Sequence, residues 1–130
     1  VDGVCCNTAC SGTCVACNLA SNVGTCTGLP TDTDPANECT GALVCGAAQT
    51  CVPGPNGTAC PDGVDASCTS NHCIDGVCCS TGSCNGTCRS CDQTKTIGGA
   101  AGVCDDIKVG TDPDNECTDP QTCNASQVCQ

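Results

Sequence analysis

The sequence predicts a small disulfide-rich fold: tandem repeats of short β-hairpins, turns and loops, with little or no helix and a minimal hydrophobic core. Cysteine supplies 21 of the 130 residues, whereas Leu, Ile and Val together supply 17, and Phe, Trp, Tyr and Met are absent. So few large apolar side chains, with a net charge of -11, would ordinarily leave a chain disordered. Disulfides can replace core burial, and each contributes about 2–4 kcal/mol. We therefore expect cross-links to supply most of the stability.

The cysteines occur in two similar series, at residues 5–51 and 78–129. In both series the last three cysteines lie six residues apart, and Asn-Glu-Cys-Thr surrounds the first of these three. Spacing that returns in this way indicates an internal repeat. The sequence thereby predicts three parts: a truncated cysteine-rich repeat with nine cysteines at 1–52, a Pro/Gly linker at 53–59, and a complete repeat with twelve cysteines at 60–130.

Regular secondary structure should be sparse, because Gly, Pro, Asn, Asp, Ser and Thr dominate the sequence. No stretch has a helical stripe of useful length. Residues 102–104 and 127–129 suit brief strands, and residues 40–45 and 118–123 suit a single helical turn. We expect short hairpins and loops held together by sulfur.

Each series begins with two adjacent cysteines, and the stretch Ile74–Cys79 repeats Val1–Cys6 with one Val/Ile exchange. Adjacent cysteines rarely bond to each other, because disulfide geometry fits poorly across one trans peptide. Neighbouring side chains of an extended chain also point to opposite faces, so each pair should bond to one earlier and one later segment. The junction cysteines are then Cys5, Cys6, Cys60, Cys68, Cys73, Cys78 and Cys79.

Only the second pair has three further cysteines before it. A unit of twelve cysteines can close six bridges internally, whereas a unit of nine leaves at least one sulfur without an internal partner. We therefore expect one of Cys5 and Cys6 to be unpaired within this chain, or to bridge to preceding polypeptide. The first residue is Val rather than Met, which suggests a mature form or an excised portion of a longer protein.

The cysteine content and the charge limit the compartment and the partners. Disulfides at this density persist in an oxidising environment, so we expect a secreted, cell-surface or fibre protein. Only three cations, Arg89, Lys95 and Lys108, accompany 14 acidic residues, which argues against a nucleic-acid partner. No apolar run is long enough for membrane insertion. The expected partners are neighbouring repeats of the same or identical chains, together with covalent glycans.

Two Cys-x-x-Cys pairs, Cys14/Cys17 and Cys88/Cys91, invite a zinc or redox interpretation. Zinc sites need reduced thiolates, usually as two such pairs or with His, and the one histidine is His72. Structural disulfides are the favoured interpretation, and metallothionein-like metal binding is a remote alternative. A Cys-His pair with enzymatic activity would need a free thiol at Cys73. Since we expect this cysteine to be bridged, we predict no enzyme and no required cofactor.

Two acidic loops occupy equivalent positions in the two series, at residues 32–38 and 112–116. Calcium binds six to eight oxygen ligands, so these loops are a candidate site. Asp-Pro with Asn is also ordinary turn chemistry, and a solvated turn is the favoured interpretation. The candidate calcium ligands are Asp32, Asp34, Glu38, Asp112, Asp114 and Glu116.

Three Asn-x-Ser/Thr sequences are candidate glycosylation sites, at Asn56, Asn85 and Asn124. All three lie in polar, turn-like stretches, where an acceptor asparagine would be exposed. A glycan at these positions would suit an extracellular protein.

Three motifs, at residues 74–79, 84–91 and 112–117, resemble the tandem cysteine-rich repeats of large secreted and surface proteins of myxobacteria and related bacteria. The resemblance covers nearly the whole chain, implies extracellular modular architecture, and brings no catalytic residue with it. The three cysteines that precede the second pair also look loosely like EGF-like or dickkopf-type knots. That likeness implies that Cys60 pairs with Cys73, and that Cys68 pairs with Cys78 or Cys79.

The leading functional hypothesis is an extracellular structural protein, whose disulfide-stapled tandem modules form an extended stalk or fibre. In such quasi-linear chains each unit touches only its neighbours. The alternative is an adhesion or ligand-binding module of a surface protein. That alternative needs a concave or apolar patch, and the lack of aromatic side chains argues against a sugar-stacking platform.

Overall fold

The structure, a computed structural model that describes residues 3–130, consists of short antiparallel hairpins joined by turns. The pairs are β1 with β2, β3 with β4, β5 with β6, and β7 with β8. These results confirm a small disulfide-rich fold with short hairpins and little core. The strands are β1 Val15–Ala16, β2 Thr27–Gly28, β3 Leu43–Cys45, β4 Cys51–Pro53, β5 Cys73–Ile74, β6 Val77–Cys78, β7 Arg89–Ser90 and β8 Asp105–Asp106, and single 3-10 turns lie at Asp65–Ser67 and Gly82–Cys84.

The helical turns expected at residues 40–45 and 118–123 and the strand expected at 102–104 are wrong. Residues 40–45 form no helical turn, because Cys45 lies opposite Cys51 in the β3–β4 hairpin; in the same way Cys123 forms a β-bridge with Cys129. The strand expected at 102–104 begins only at Asp105. Gly102 has a φ of 75°, a left-handed conformation that does not continue a strand.

Ten disulfides divide the described chain into three covalently closed blocks: a first block (residues 6–51), a middle block (60–78) and a last block (79–129). Within residues 3–130 no bridge joins two blocks. The predicted division at 52 and 60 stays a prediction, and the bridges also separate the middle block from the last.

The first and last blocks use the same four pairings. In the first block they are Cys6–Cys17, Cys10–Cys26, Cys14–Cys45 and Cys39–Cys51. In the last block they are Cys79–Cys91, Cys84–Cys104, Cys88–Cys123 and Cys117–Cys129. The middle block is closed by Cys60–Cys73 and Cys68–Cys78.

Sulfur provides most of the buried apolar surface. Leu29 lies in a cluster with the sulfurs of Cys14, Cys39 and Cys45, and Ile107 lies in the equivalent cluster of the last block. A few aliphatic side chains among bridges therefore take the place of an ordinary core. Such a core is too small to hold a chain of this length without covalent help.

The predicted linker is hydrogen-bonded along most of its length. The amide of Gly54 donates to the carbonyl of Ser67 (2.9 Å), and the amide of Gly57 donates to the carbonyl of Cys78 (2.8 Å). The amide of Cys78 in turn donates to the carbonyl of Thr58 (2.8 Å). The segment between the first and middle blocks is therefore fixed against the middle block.

Further contacts hold each neighbouring pair of blocks together. Ala42 of the first block is 1 % exposed and packs into the cysteine cluster of the middle block. Between the middle and last blocks, the Asp75 carboxylate accepts hydrogen bonds from the Ser90 hydroxyl (2.8 Å) and the Cys91 amide (3.3 Å). Each block thus contacts the block that follows it in the sequence.

Candidate functional site

The cysteine pair of the second series is the junction between the middle and last blocks. Cys78, at the end of β6, bonds back to Cys68, and Cys79 bonds forward to Cys91. Both members of the pair are completely buried. This is the arrangement that alternation of neighbouring side chains predicts: one bond to an earlier segment and one to a later segment.

The pair of the first series is only half bonded. Cys6 bonds to Cys17, whereas Cys5 is an exposed free cysteine. This agrees with the expectation that one of the two is unpaired within the chain. The bridges Cys60–Cys73 and Cys68–Cys78 also agree with the pairing that the likeness to EGF-like knots implies.

Bonding of Cys73 to Cys60 also decides the state of the candidate Cys-His pair. A sulfur in a disulfide has no thiolate with which to attack a substrate, so Cys73 is not a nucleophile beside His72 in this oxidised state. The absence of enzymatic activity stays a prediction.

Comparison with family models, with curated proteins and with solved structures finds no match for this chain. The resemblance to bacterial cysteine-rich repeats therefore stays a prediction based on its motifs. In the part of the chain that the structure describes, no helix is long and apolar enough to cross a bilayer.

Cysteine sulfurs meet in four buried groups of three, each compact enough to surround a metal ion. In the oxidised protein every member is bonded within a disulfide. Since the thiolate is the metal ligand, these groups could bind soft metals only after reduction. The groups are Cys14/Cys39/Cys45, Cys60/Cys68/Cys78, Cys79/Cys84/Cys91 and Cys88/Cys117/Cys123.

In both acidic loops the aspartate that precedes the proline closes the loop on itself. The Asp34 carboxylate accepts hydrogen bonds from the amides of Glu38 (2.9 Å) and Cys39 (3.2 Å). Asp112 accepts equivalent bonds from Glu116 (2.9 Å) and Cys117 (3.0 Å). Two of the candidate calcium ligands therefore act as acceptors for backbone amides.

The glutamate of each loop reaches across to a bridged cysteine. Glu38 accepts a 2.6 Å hydrogen bond from the Cys14 amide, and Glu116 accepts one of the same length from the Cys88 amide. Both cysteines have left-handed backbones, with φ of 59° and 61°, which is unusual for a residue with a Cβ. The glutamates thus help to hold a strained turn at the start of β1 and β7.

The other two candidate ligands differ from each other. Asp114 forms an ion pair with Lys95, whereas Asp32 is exposed in a left-handed turn. Among residues 3–130 the six carboxylates form no compact group of three ligands. Calcium binding stays a prediction, and hydrogen bonding within the loops is the role for which there is geometric support.

The pKa of Glu116 is raised above its ordinary value. Partial burial of the carboxylate is the main cause, and the nearby acids Asp114, Asp75 and Asp112 add to it, while the hydrogen bond from Cys88 acts in the opposite direction. Lys95 has a raised pKa because it donates a hydrogen bond to Asp114. The last block therefore contains a local excess of acid that one lysine partly offsets.

The three candidate glycosylation sites are not equivalent. Asn56 and Asn85 are exposed. The Asn124 side chain is half-buried; its oxygen accepts from the amide of Ser126 (2.8 Å), and its amide donates to the side chain of Gln130 (2.9 Å). Only the first two present a free side-chain amide to an enzyme.

Sequence reasoning missed an open pocket on the first block, with a volume of about 350 Å³. The signal was available, because the loop between Cys17 and Cys26 is four residues shorter than its counterpart between Cys91 and Cys104. The pocket is lined by Ala16, Asn18, Leu19, Leu29, Pro35 and Ala36.

Proposed function

We propose that this chain is an extracellular structural protein, in which disulfide-closed blocks follow one another as rigid segments of a stalk or fibre. Its dense disulfides mark it as a small protein suited to an extracellular or otherwise oxidising environment. Glycans on the exposed Asn56 and Asn85 would cover such a segment.

The observation that carries this proposal is the fixed joint between successive blocks. A chain of independent domains on a free Gly/Pro linker would behave as a flexible tether. Here the linker is hydrogen-bonded to the middle block, and Asp75 connects that block to the last. With fixed joints, the distance between the two ends of the chain increases with each added block.

The accessible surface supports the same proposal. It amounts to 6910 Å², against about 6,200 Å² for a compact protein of 12.7 kDa. The excess fits small blocks that each keep their own surface. The resemblance to tandem repeats of bacterial surface proteins, which we also propose as the chain's family, points to the same role.

Small-angle X-ray scattering on head-to-tail fusions of one, two and four copies tests the proposal. A rigid array predicts a maximum dimension that grows in proportion to copy number. Growth with the square root of copy number, as for a flexible linker, would exclude the stalk. A matched fusion, joined through an added Gly/Ser linker of twenty residues, supplies the flexible reference.

Metal binding is the second candidate, and the four sulfur groups favour it. It requires the reduced protein, because only thiolates bind soft metals. Thiol titration of protein taken directly from its source separates the two roles. Many free thiols together with bound zinc or copper would favour metal storage, whereas about one thiol per chain would favour the structural role.

A further inference from the structure

The first and last blocks differ most in the loop after their Cys-x-x-Cys pair. In the last block this longer loop returns along the outer edge of β8. The Ile97 amide donates to the carbonyl of Asp106 (3.0 Å), and the Lys108 amide donates to the carbonyl of Lys95 (3.1 Å). Residues 95–97 thus lie along the edge of β8 and form an isolated β-bridge there, and we call this segment the added strand.

The centre of this added strand closes the block. Thr96 forms an antiparallel bridge with Ile107, and the two side chains are 2 % and 1 % exposed. Lys95 extends to Asp114 in the acidic loop and forms an ion pair with it. The buried Thr96 and the neighbouring Lys95 therefore connect this segment to the hairpin and to the acidic loop.

The first block has the same space but lacks the added strand. Leu29, Pro35 and Ala36 stand where the last block has Ile107, Pro113 and Asp114, and all three line the open pocket. The Leu29 amide donates to the Cys14 carbonyl, so the polar groups of Gly28 point away from β1. The outer edge of β2 therefore offers the Gly28 carbonyl, which corresponds to the Asp106 carbonyl that Ile97 uses.

Charge indicates what kind of segment fits this pocket. The first block contains Asp32, Asp34 and Glu38 and has no Lys or Arg. A second copy of this chain, with its net charge of -11, would be repelled. A basic peptide would be attracted, and its counterpart in the last block carries Lys95.

We propose that the pocket of the first block binds an extended basic peptide of another protein, by β-strand addition to β2. A small β-branched residue enters beside Leu29, as Thr96 lies beside Ile107 in the last block, and the following amide donates to Gly28. Main-chain hydrogen bonds with one side-chain pocket are a recurring mode of peptide recognition. Pro30 stands where the last block has Lys108. Because proline has no N–H, β2 lacks the second main-chain donor that Lys108 supplies in the last block. The binding is therefore weak and depends on the pocket.

The test uses the full chain labelled with ¹⁵N and a capped peptide with the sequence of residues 93–99, Gln-Thr-Lys-Thr-Ile-Gly-Gly, whose only charge is that of the lysine. Titration should give saturable shifts in the millimolar range at Ala16, Gly28, Leu29 and Ala36. Peptides with Lys95→Glu or Thr96→Lys should bind at least fivefold more weakly, because the first reverses the charge and the second puts an ammonium group into the apolar pocket.

Variants of the exposed residue Ala36 make the test independent of folding. Ala36→Asp restores the carboxylate that Lys95 uses in the last block and should tighten binding roughly two- to fivefold. Ala36→Lys should weaken binding at least as much. Ala47→Asp, which adds the same charge at an exposed position outside the pocket, is the matched control. An equal effect of the two aspartate variants, or no saturable shift at β2, would overturn the proposal.

Discussion

Cys78 and Cys79 share a peptide bond but belong to different closed blocks, because Cys78 bonds back to Cys68 and Cys79 bonds forward to Cys91. The stretch between Cys51 and Cys60 is the other place in residues 3–130 that no bridge spans. At these two places the backbone is the only covalent connection between the two sides. This arrangement leads to a cleavage pattern that the unmodified sequence can test.

Hydroxylamine cleaves Asn-Gly bonds, and the chain has two of them, at Asn56-Gly57 and Asn85-Gly86. Cleavage at the first should separate residues 1–56 from 57–130 without any reductant. Cleavage at the second should separate nothing, because Cys79–Cys91 and Cys84–Cys104 span it. Mass spectrometry should therefore find two species before reduction and three fragments after it.

Alkylation of Cys5 before the cleavage prevents thiol exchange and serves as the control. If residues 1–56 stay attached to the remainder without reductant, a bridge crosses the linker and the division into blocks is wrong.

The free thiol gives a second prediction. Unreduced protein should take up one equivalent of iodoacetamide, at Cys5, because this is the exposed free cysteine of the described chain. Intact mass and peptide mapping measure the uptake. Cys5→Ser should abolish it, and uptake by the Cys5→Ser variant would show that another bridge is open.

The close approach of Gly102 to the linker gives a third prediction. A Cβ on Gly102 would lie 2.2 Å from the amide nitrogen of Gly57 and 2.6 Å from the carbonyl oxygen of Cys78. Gly102→Ala should therefore lower the free energy of unfolding by about 1–3 kcal/mol through overpacking, beyond the backbone cost. Calorimetry with intact disulfides measures this.

Gly110→Ala is the matched control for that variant. Gly110 has a φ of 79°, close to the 75° of Gly102, but a Cβ there would meet nothing within 4 Å. The two variants share the cost of a left-handed alanine, so their difference measures the contact between linker and last block. Equal destabilisation would mean that the joint is not packed.

The raised pKa of Glu116 gives a fourth prediction. A carboxyl group whose pKa is higher in the folded than in the unfolded state stabilises the fold below its ordinary pKa of 4.5. That contribution is lost as the pH rises through the folded pKa. The melting temperature of the wild type minus that of Glu116→Gln should therefore fall between pH 4 and pH 7.

Glu116→Gln keeps an oxygen that can accept from the Cys88 amide, so the comparison isolates the charge. Subtraction also cancels the titration of the carboxylates that do not interact with Glu116. A difference that rises with pH over this range would show that the hydrogen bond outweighs burial and repulsion.

The side-chain contacts of Asn124 give a fifth prediction. In a eukaryotic secretory host, Asn56 and Asn85 should carry more glycan than Asn124, because only Asn124 has its side chain hydrogen-bonded on both sides. Glycopeptide mass spectrometry gives the occupancy. Gln130→Ala, which removes the partner of the Asn124 amide, should raise the occupancy at Asn124 alone.

Cysteine content was enough to predict the disulfide-rich fold, and the alternation of neighbouring side chains was enough to predict the opposite directions of the bonds from Cys78 and Cys79. Spacing did not predict that residues 40–45 belong to a hairpin and not to a helical turn, because two cysteines six residues apart fit either structure. The role of Glu38 was also beyond sequence reasoning. Its acceptor function depends on the left-handed backbone of Cys14, which no propensity predicts. The pocket was missed because its walls come from three separate loops.

The order of the bridges determines how the chain would respond to a pull on its ends. Within the first block the shortest covalent route crosses from Cys6 to Cys17, returns to Cys14, crosses to Cys45 and continues to Cys51. Most of the block lies outside this route and would bear no tension. Stretching would extend the segment between Cys51 and Cys60 first, once its hydrogen bonds to the middle block had broken.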